Sequence, residues 1–142
     1  MGISAQTLIP QRPPIVMIDT FHGITDGHSY SSLQVLEDNI LVKNGLLVES
    51  GVIEHIAQSA AARVGYLAHL QNVAPPVGFI GSIDNFKLKH LPRVGDTLFT
   101  RITVEQEFEN ITLISAATAI AATFDEQKVI ATCQMKIFLQ RD

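Results

Sequence analysis

Only one segment of this chain carries a long helical pattern, and the periodic stretches after it alternate with the period of a strand. The segment is NGLLVESGVIEHIAQSAAARVGYLAH, Asn44 to His69. Within it Ile53, Ile56, Ala57, Ala60, Val64 and Leu67 recur at three- and four-residue spacing, which puts them in one apolar stripe of an α-helix. Alanines at 57, 60, 61 and 62 keep that helix thin enough for a sheet to close tightly around it. Pro75 and Pro76 cannot continue a helix, so it stops between Asn72 and Pro76.

The strands that supply the cover can be read on both sides. Upstream, Pro13 and Pro14 exclude a regular helix and the apolar run Ile15 to Ile18 predicts a strand. Asp26-Gly27 is a hairpin turn signal, with Ser31 to Val35 on its far side. Downstream, Val77 to Leu88 is a strand candidate and Leu91 to Asp96 a turn. From Thr97 to Phe108, Leu98, Ile102, Val104 and Phe108 alternate with Phe99, Arg101, Thr103, Glu105 and Glu107, one dry face against one wet face. Ile111 to Phe124 is apolar on both faces, as expected of a central strand. Val129, Ala131, Cys133, Met135, Ile137 and Leu139 share a face, which makes Cys133 a small core residue and not a nucleophile. A single slim helix wrapped by a curved antiparallel sheet is the α+β layout of the hot dog fold, here one domain over residues 1–142.

Composition narrows the function classes. Apolar residues make up 46% and charged residues 17%, the balance of a folded domain. A formal charge of −4 leaves a nucleic-acid partner little to hold. Cys133 is the only cysteine, so no disulfide framework is expected and a reducing compartment is the simplest setting. The opening MGISAQTLIPQRPP has no basic segment followed by an apolar run, and no apolar run approaches the about 18 residues of a membrane helix. The expectation is a cytoplasmic domain without a membrane span. No His-x-x-x-His or similar pair exists, so neither a metal nor a cofactor is expected.

Three stretches resemble the β-hydroxyacyl-acyl carrier protein dehydratases. LIPQRPPIVMID, residues 8 to 19, is similar to that family's Leu-Pro-His-Arg-x-Pro-x-x-x-x-Asp opening. SGVIEHIAQSAA, 50 to 61, resembles its Pro-Gly-Val-x-x-x-Glu-x-x-Ala-Gln helix start, with fewer residues between Gly51 and Glu54. FIGSIDNFKLKHLPRVGDTL, 79 to 98, resembles its Gly-Ile-Asp-x-x-x-Phe-x-x-x-Val-x-Pro-Gly-Asp hairpin. The resemblance implies a hot dog dimer with two active sites at the interface. Each draws a histidine from one subunit and an acidic residue from the helix of the other. Glu54 matches the acid, Gln58 the following glutamine and Gly51 the glycine at the helix start. The family's histidine lies in a Gly-His-Phe-Pro segment before the acid; Asp38 to Asn44 occupies that region here and holds no histidine. Asn44-Gly45 looks closer to a variant branch found in aryl-polyene and related pathways, in which, the resemblance suggests, some subunits are partners of a catalytic paralogue.

Dehydrating a 3-hydroxyacyl thioester needs a base for the α-proton, an acid for the departing hydroxyl, and amide donors for the thioester oxygen. Glu54 is the candidate acid, a role that needs a protonated carboxyl. Gly51 and Val52 at the helix start are the candidate amide donors, and the base is missing from its expected place. An acyl thioesterase asks for less: one carboxylate and the same amides. The alternatives are therefore a dehydratase-like enzyme, a thioesterase using Glu54, or a non-catalytic acyl-binding or partner subunit. The substrate is an acyl thioester of acyl carrier protein or coenzyme A, and the assembly a homodimer, a higher hot dog oligomer, or a pair with a paralogous subunit. Gln58 is read as holding Glu54, and His55, turned about 100° from it, as a surface or dimer contact. His22, His28 and His69 carry no spacing signal, whereas His90, in a loop, could reach a neighbouring site. Lys87, Lys89 and Arg93, with Arg101, cluster around one hairpin and are candidates for docking an acidic carrier protein.

Overall fold

The computed structural model describes residues 2–140. Seven strands form one antiparallel sheet: β1 (Ile3–Ser4), β2 (Thr20–Thr25), β3 (His28–Gln34), then, after a separate two-stranded hairpin of β4 (Val42–Lys43) and β5 (Leu46–Leu47) and the helix α1 (Glu49–Leu70), β6 (Val77–Leu88), β7 (Thr97–Phe108), β8 (Ile111–Ile120) and β9 (Val129–Gln140). Their order across the sheet is β1-β2-β3-β7-β8-β9-β6. One helix on a long antiparallel sheet is the hot dog layout. No helix among the described residues is long and apolar enough to cross a membrane.

Local chemistry accounts for the joints. Asp26-Gly27 and Asn44-Gly45 both take left-handed backbone angles, the conformation of a tight two-residue hairpin turn. The helix ends through Asn72, also left-handed at φ 56°, while the Val73 N–H returns to the Ala68 carbonyl at 3.1 Å. Pro75 and Pro76 follow and release the chain into β6.

The core sits between α1 and the middle of the sheet. Val52, Ile56 and Ala60 pack with Leu98 and Ile102 of β7, Ile114 and Ala116 of β8, and Ala131, Cys133 and Met135 of β9. The register places Ala116 opposite both Ile102 and Cys133, so small residues let the strands curve under the helix. A second cluster of Ala5, Leu8, Ile9, Ile18, Phe21 and Ala62 fastens the N-terminal segment to the far side of the helix. The last strand, β6, pairs with β9 alone, leaving its outer edge open with Val77, Phe79 and Ile80 exposed.

Two expectations change. Ile15 to Ile18 is not a strand; β2 begins at Thr20. No neighbouring strand pairs with this run: the Ile15 N–H turns back to the Arg12 carbonyl, Gln58 takes the Ile15 carbonyl and the Met17 N–H, and His55 takes the Met17 carbonyl. Ile111 to Phe124 keeps strand form only to Ile120, where the Ala121 N–H makes a last bond to the Thr97 carbonyl. The helix is also turned: besides Val52 and Ile56, its fully buried large side chains are His55 and Gln58, while Ile53, Ala57 and Val64 are half-buried.

Candidate functional site

Glu54 and Gln58 stand one turn apart on the same flank of α1, and the Gln58 Nε2 donates to Glu54 Oε1 at 2.8 Å. The same nitrogen donates to the Ile15 carbonyl at 2.9 Å, and Gln58 Oε1 accepts the Met17 N–H at 2.7 Å. Gln58 is fully buried, so its three bonds fix the Glu54 carboxylate and clamp the Ile15–Met17 segment together. Glu54 itself is half-buried.

Beyond Glu54 opens a pocket of about 490 Å³. The helix lines it with Ala57, Ala60, Ala61 and Val64; Leu8 to Gln11, the start of β6 and the end of β9 close the rest. The alanines that made the helix look slim thus leave room for a ligand. Apart from the Glu54 carboxylate, the polar side chains on its wall are Thr7 and Gln11, and no histidine lines it. The Pro75–Ile80 and Ile137–Leu139 walls carry only apolar groups, and their contribution had no signal in residue spacing.

His55 is not a surface residue. It is wholly buried; its Nδ1 lies 2.7 Å from the Met17 carbonyl and its Nε2 2.8 Å from Thr100 Oγ1, which is 2.7 Å from Thr118 Oγ1. Burial lowers its pKa to about 4, opposed by the Met17 bond, so the ring is neutral near pH 7. A carbonyl only accepts, which places the single ring proton on Nδ1 and makes Nε2 the acceptor from Thr100. Thr118 then donates to Thr100. The ring ties helix to sheet and is saturated. Cys133 is buried, its thiol pushed up to about 11, which leaves it a core residue.

At the helix start, Gly51 N–H and Val52 N–H both donate to the Val48 carbonyl, at 2.8 and 3.2 Å, and both residues are buried. Among the described residues the free helix-start donors are the N–H groups of exposed Glu49 and Ser50. Gly51 is needed for packing, since a Cβ there would lie 2.6 Å from Leu47 Cδ1.

The basic cluster divides in two. Lys89 and Arg93 join His90 and Lys128 around a groove of about 460 Å³. Lys87 and Arg101 line a separate depression, because β6 ends at Leu88 and the chain turns between the two lysines. Arg101 is engaged there, 3.3 Å from Glu126 and 4.5 Å above the Phe124 ring. Lys128 was not legible as part of the cluster, being 35 residues from Arg93 and joined to it only by the fold.

Helix, sheet and a carboxylate on an apolar pocket define a hot dog protein of the dehydratase and thioesterase-like class. Within that class the family model ApeP-like, described as ApeP dehydratase, matches residues 3–142, and the chain belongs to that family. Among solved structures it is similar to the dehydratase heterocomplex ApeI:P from Xenorhabdus doucetiae, with TM-score 0.79, 16% identity, and coverage of 99% of this chain and 93% of that one. It is also similar to a hypothetical thioesterase with coenzyme A from Streptococcus pneumoniae TIGR4, at TM-score 0.63 and 11% identity over 84% of each chain. A third, smu.793 from Streptococcus mutans UA159 bound to acetyl CoA, gives TM-score 0.64 and 11% identity over 93% of this chain and 91% of that one. These likenesses are of fold. No curated protein matches the chain at a significant level.

Proposed function

We propose that this chain is the acid-bearing subunit of a cytoplasmic two-chain dehydratase acting on 3-hydroxyacyl thioesters. The observation that carries the reading is the Glu54–Gln58 pair at the helix-start end of an apolar pocket with no base on its wall. In this reading the acyl chain lies along Ala57, Ala60 and Val64. Glu54 gives its proton to the departing 3-hydroxyl, and a histidine of a paralogous partner takes the α-proton. Gln58 holds the carboxyl in place, and the free Glu49 and Ser50 amides, in place of the bonded Gly51 and Val52 amides two residues on, meet the thioester oxygen. The open β6 edge supports an assembly with a second chain. The family match and the ApeI:P heterocomplex support a paralogue in preference to a second copy.

A second reading draws on the same missing base. One carboxylate suffices to activate water on a thioester, and thioesterase-like neighbours share the fold. The deciding experiment gives a 3-hydroxyacyl thioester to the chain alone and to the chain with a histidine-bearing paralogue, following enoyl product and free thiol separately. Enoyl product that needs both chains and is lost in Glu54→Gln is the expected result. Free thiol from the chain alone would establish the thioesterase, and full activity in Glu54→Gln would remove both readings.

A further inference from the structure

The groove lined by Lys89, His90, Arg93 and Lys128 has no part in the chemistry above. Its three permanent cations are exposed, and none takes an ion pair among the described residues. Its one carboxylate, Asp96, is occupied: Asp96 Oδ2 accepts the Arg93 backbone N–H at 2.8 Å. Three cations against one carboxylate leave this groove with an excess of positive charge on a chain of net charge −4, and mark a place for an anion.

The position of the groove names the anion. Its loop is zipped onto the hairpin that feeds the helix: Leu47 N–H donates to the Pro92 carbonyl at 2.8 Å, Val94 N–H to the Gly45 carbonyl at 3.0 Å, and Leu46 pairs with Arg93. Glu49 opens the helix two residues after Leu47. Glu54 follows about 8 Å further along the axis, and the pocket-lining residues run on to Val64, about 15 Å beyond it. Cations, carboxylate and apolar pocket therefore succeed one another along α1. An acyl thioester on a phosphorylated thiol has the same order: phosphate, arm, thioester, acyl chain. We infer that the Lys89–Arg93–Lys128 groove binds the phosphate of the thiol carrier while Glu54 meets the thioester. This rests on the thioester reading of Glu54 and removes Lys87 and Arg101 from the docking set. The phosphate ester is common to coenzyme A and to the arm of a carrier protein. Arg supplies a forked donor set and Lys point charges, both suited to phosphate oxygens.

The test is titration of the full chain, alone and with its partner subunit, with coenzyme A, with a phosphopantetheine-loaded carrier protein, and with pantetheine, which lacks the phosphate. Coenzyme A or the loaded carrier is expected to bind at least tenfold tighter than pantetheine, with affinity falling as salt rises; whichever binds tighter identifies the source. The Lys89→Ala/Arg93→Ala/Lys128→Ala variant should lose that tenfold advantage and the salt dependence, whereas Lys87→Ala/Arg101→Ala should keep both. Lys128→Glu alone should weaken binding in the same direction. Turnover of a phosphate-free 3-hydroxyacyl N-acetylcysteamine thioester should be unchanged in the triple variant, but lost in Glu54→Gln, which keeps phosphate binding. The proposal is overturned if the triple variant binds like the parent, if pantetheine binds as well as the phosphorylated thiols, or if the triple variant also loses the phosphate-free substrate. Failure of Glu54→Gln to affect turnover would strike the catalytic reading and leave the groove standing.

Discussion

The Met17 peptide is held from both sides by neighbouring turns of one helix: its N–H donates to Gln58 Oε1 at 2.7 Å and its carbonyl accepts from His55 Nδ1 at 2.7 Å. The residue that steadies Glu54 is thus fixed by a segment 41 positions earlier in the chain. Four consequences of this and related packing can be measured.

Glu54→Gln should leave the unfolding midpoint close to that of the parent, since Gln58 can still bond the new amide oxygen. Dehydration should fall by about 10²-fold or more, the contribution of a positioned general acid. Enoyl absorbance alongside a melting curve reads both.

Gln58→Leu removes three hydrogen bonds and strands the buried Met17 N–H. The unpaired Met17 N–H costs about 1–3 kcal/mol, while the carbonyl of exposed Ile15 can turn to water, so a loss of about 1–3 kcal/mol is expected in urea unfolding. Activity should drop as well, because the carboxylate loses its support.

His55 links stability to pH. Its folded pKa, about 4, lies below the ordinary 6.5, so the unfolded chain takes up the proton first. The contribution is complete above pH 6.5 and declines as pH falls towards 4, on the order of 3 kcal/mol in all. Carboxylates titrate nearby, so the difference between the parent and His55→Phe isolates the effect: the urea midpoint of the variant should be the less dependent on pH across that window. Equal slopes would refute the assignment.

Gly65→Ala sets helix propensity against packing. Alanine in a helix interior is worth up to about 1 kcal/mol over glycine. Here a Cβ would sit 2.0 Å from the Leu8 carbonyl oxygen, against backbone that cannot swing away. Net destabilisation of about 1–3 kcal/mol is expected, together with faster proteolysis of the Ala5–Ile9 segment.

Much of the fold was legible because its periods are clean. The 22-residue helix, the Asp26-Gly27 turn and the alternation of β9 each follow from local spacing, whereas in β7 Phe99 is buried and Phe108 exposed, and the register slips at a bulge between Val104 and Gln106. The Ile15–Ile18 run was misread because an apolar run carries no mark of where its backbone bonds go; here the Ile15 carbonyl and both Met17 groups go to helix side chains. His55 was misread for the same reason. A histidine in a buried helix reads as polar until its two partners, Met17 and Thr100, are brought to it from 38 and 45 residues away. The Glu54–Gln58 pair was legible from its four-residue spacing. The groove was only half legible, because Lys128 reaches Arg93 through the β6–β9 pairing and not through sequence.

The open edge of β6 bears on how such a chain survives its own synthesis. Twelve residues of strand offer unanswered amides and carbonyls beside Val77, Phe79, Ile80 and Ile83. Until another strand covers that edge it can recruit extended segments of any chain nearby. An uncovered edge of that length is an aggregation site, and in the two-chain assembly proposed above the second chain would close it.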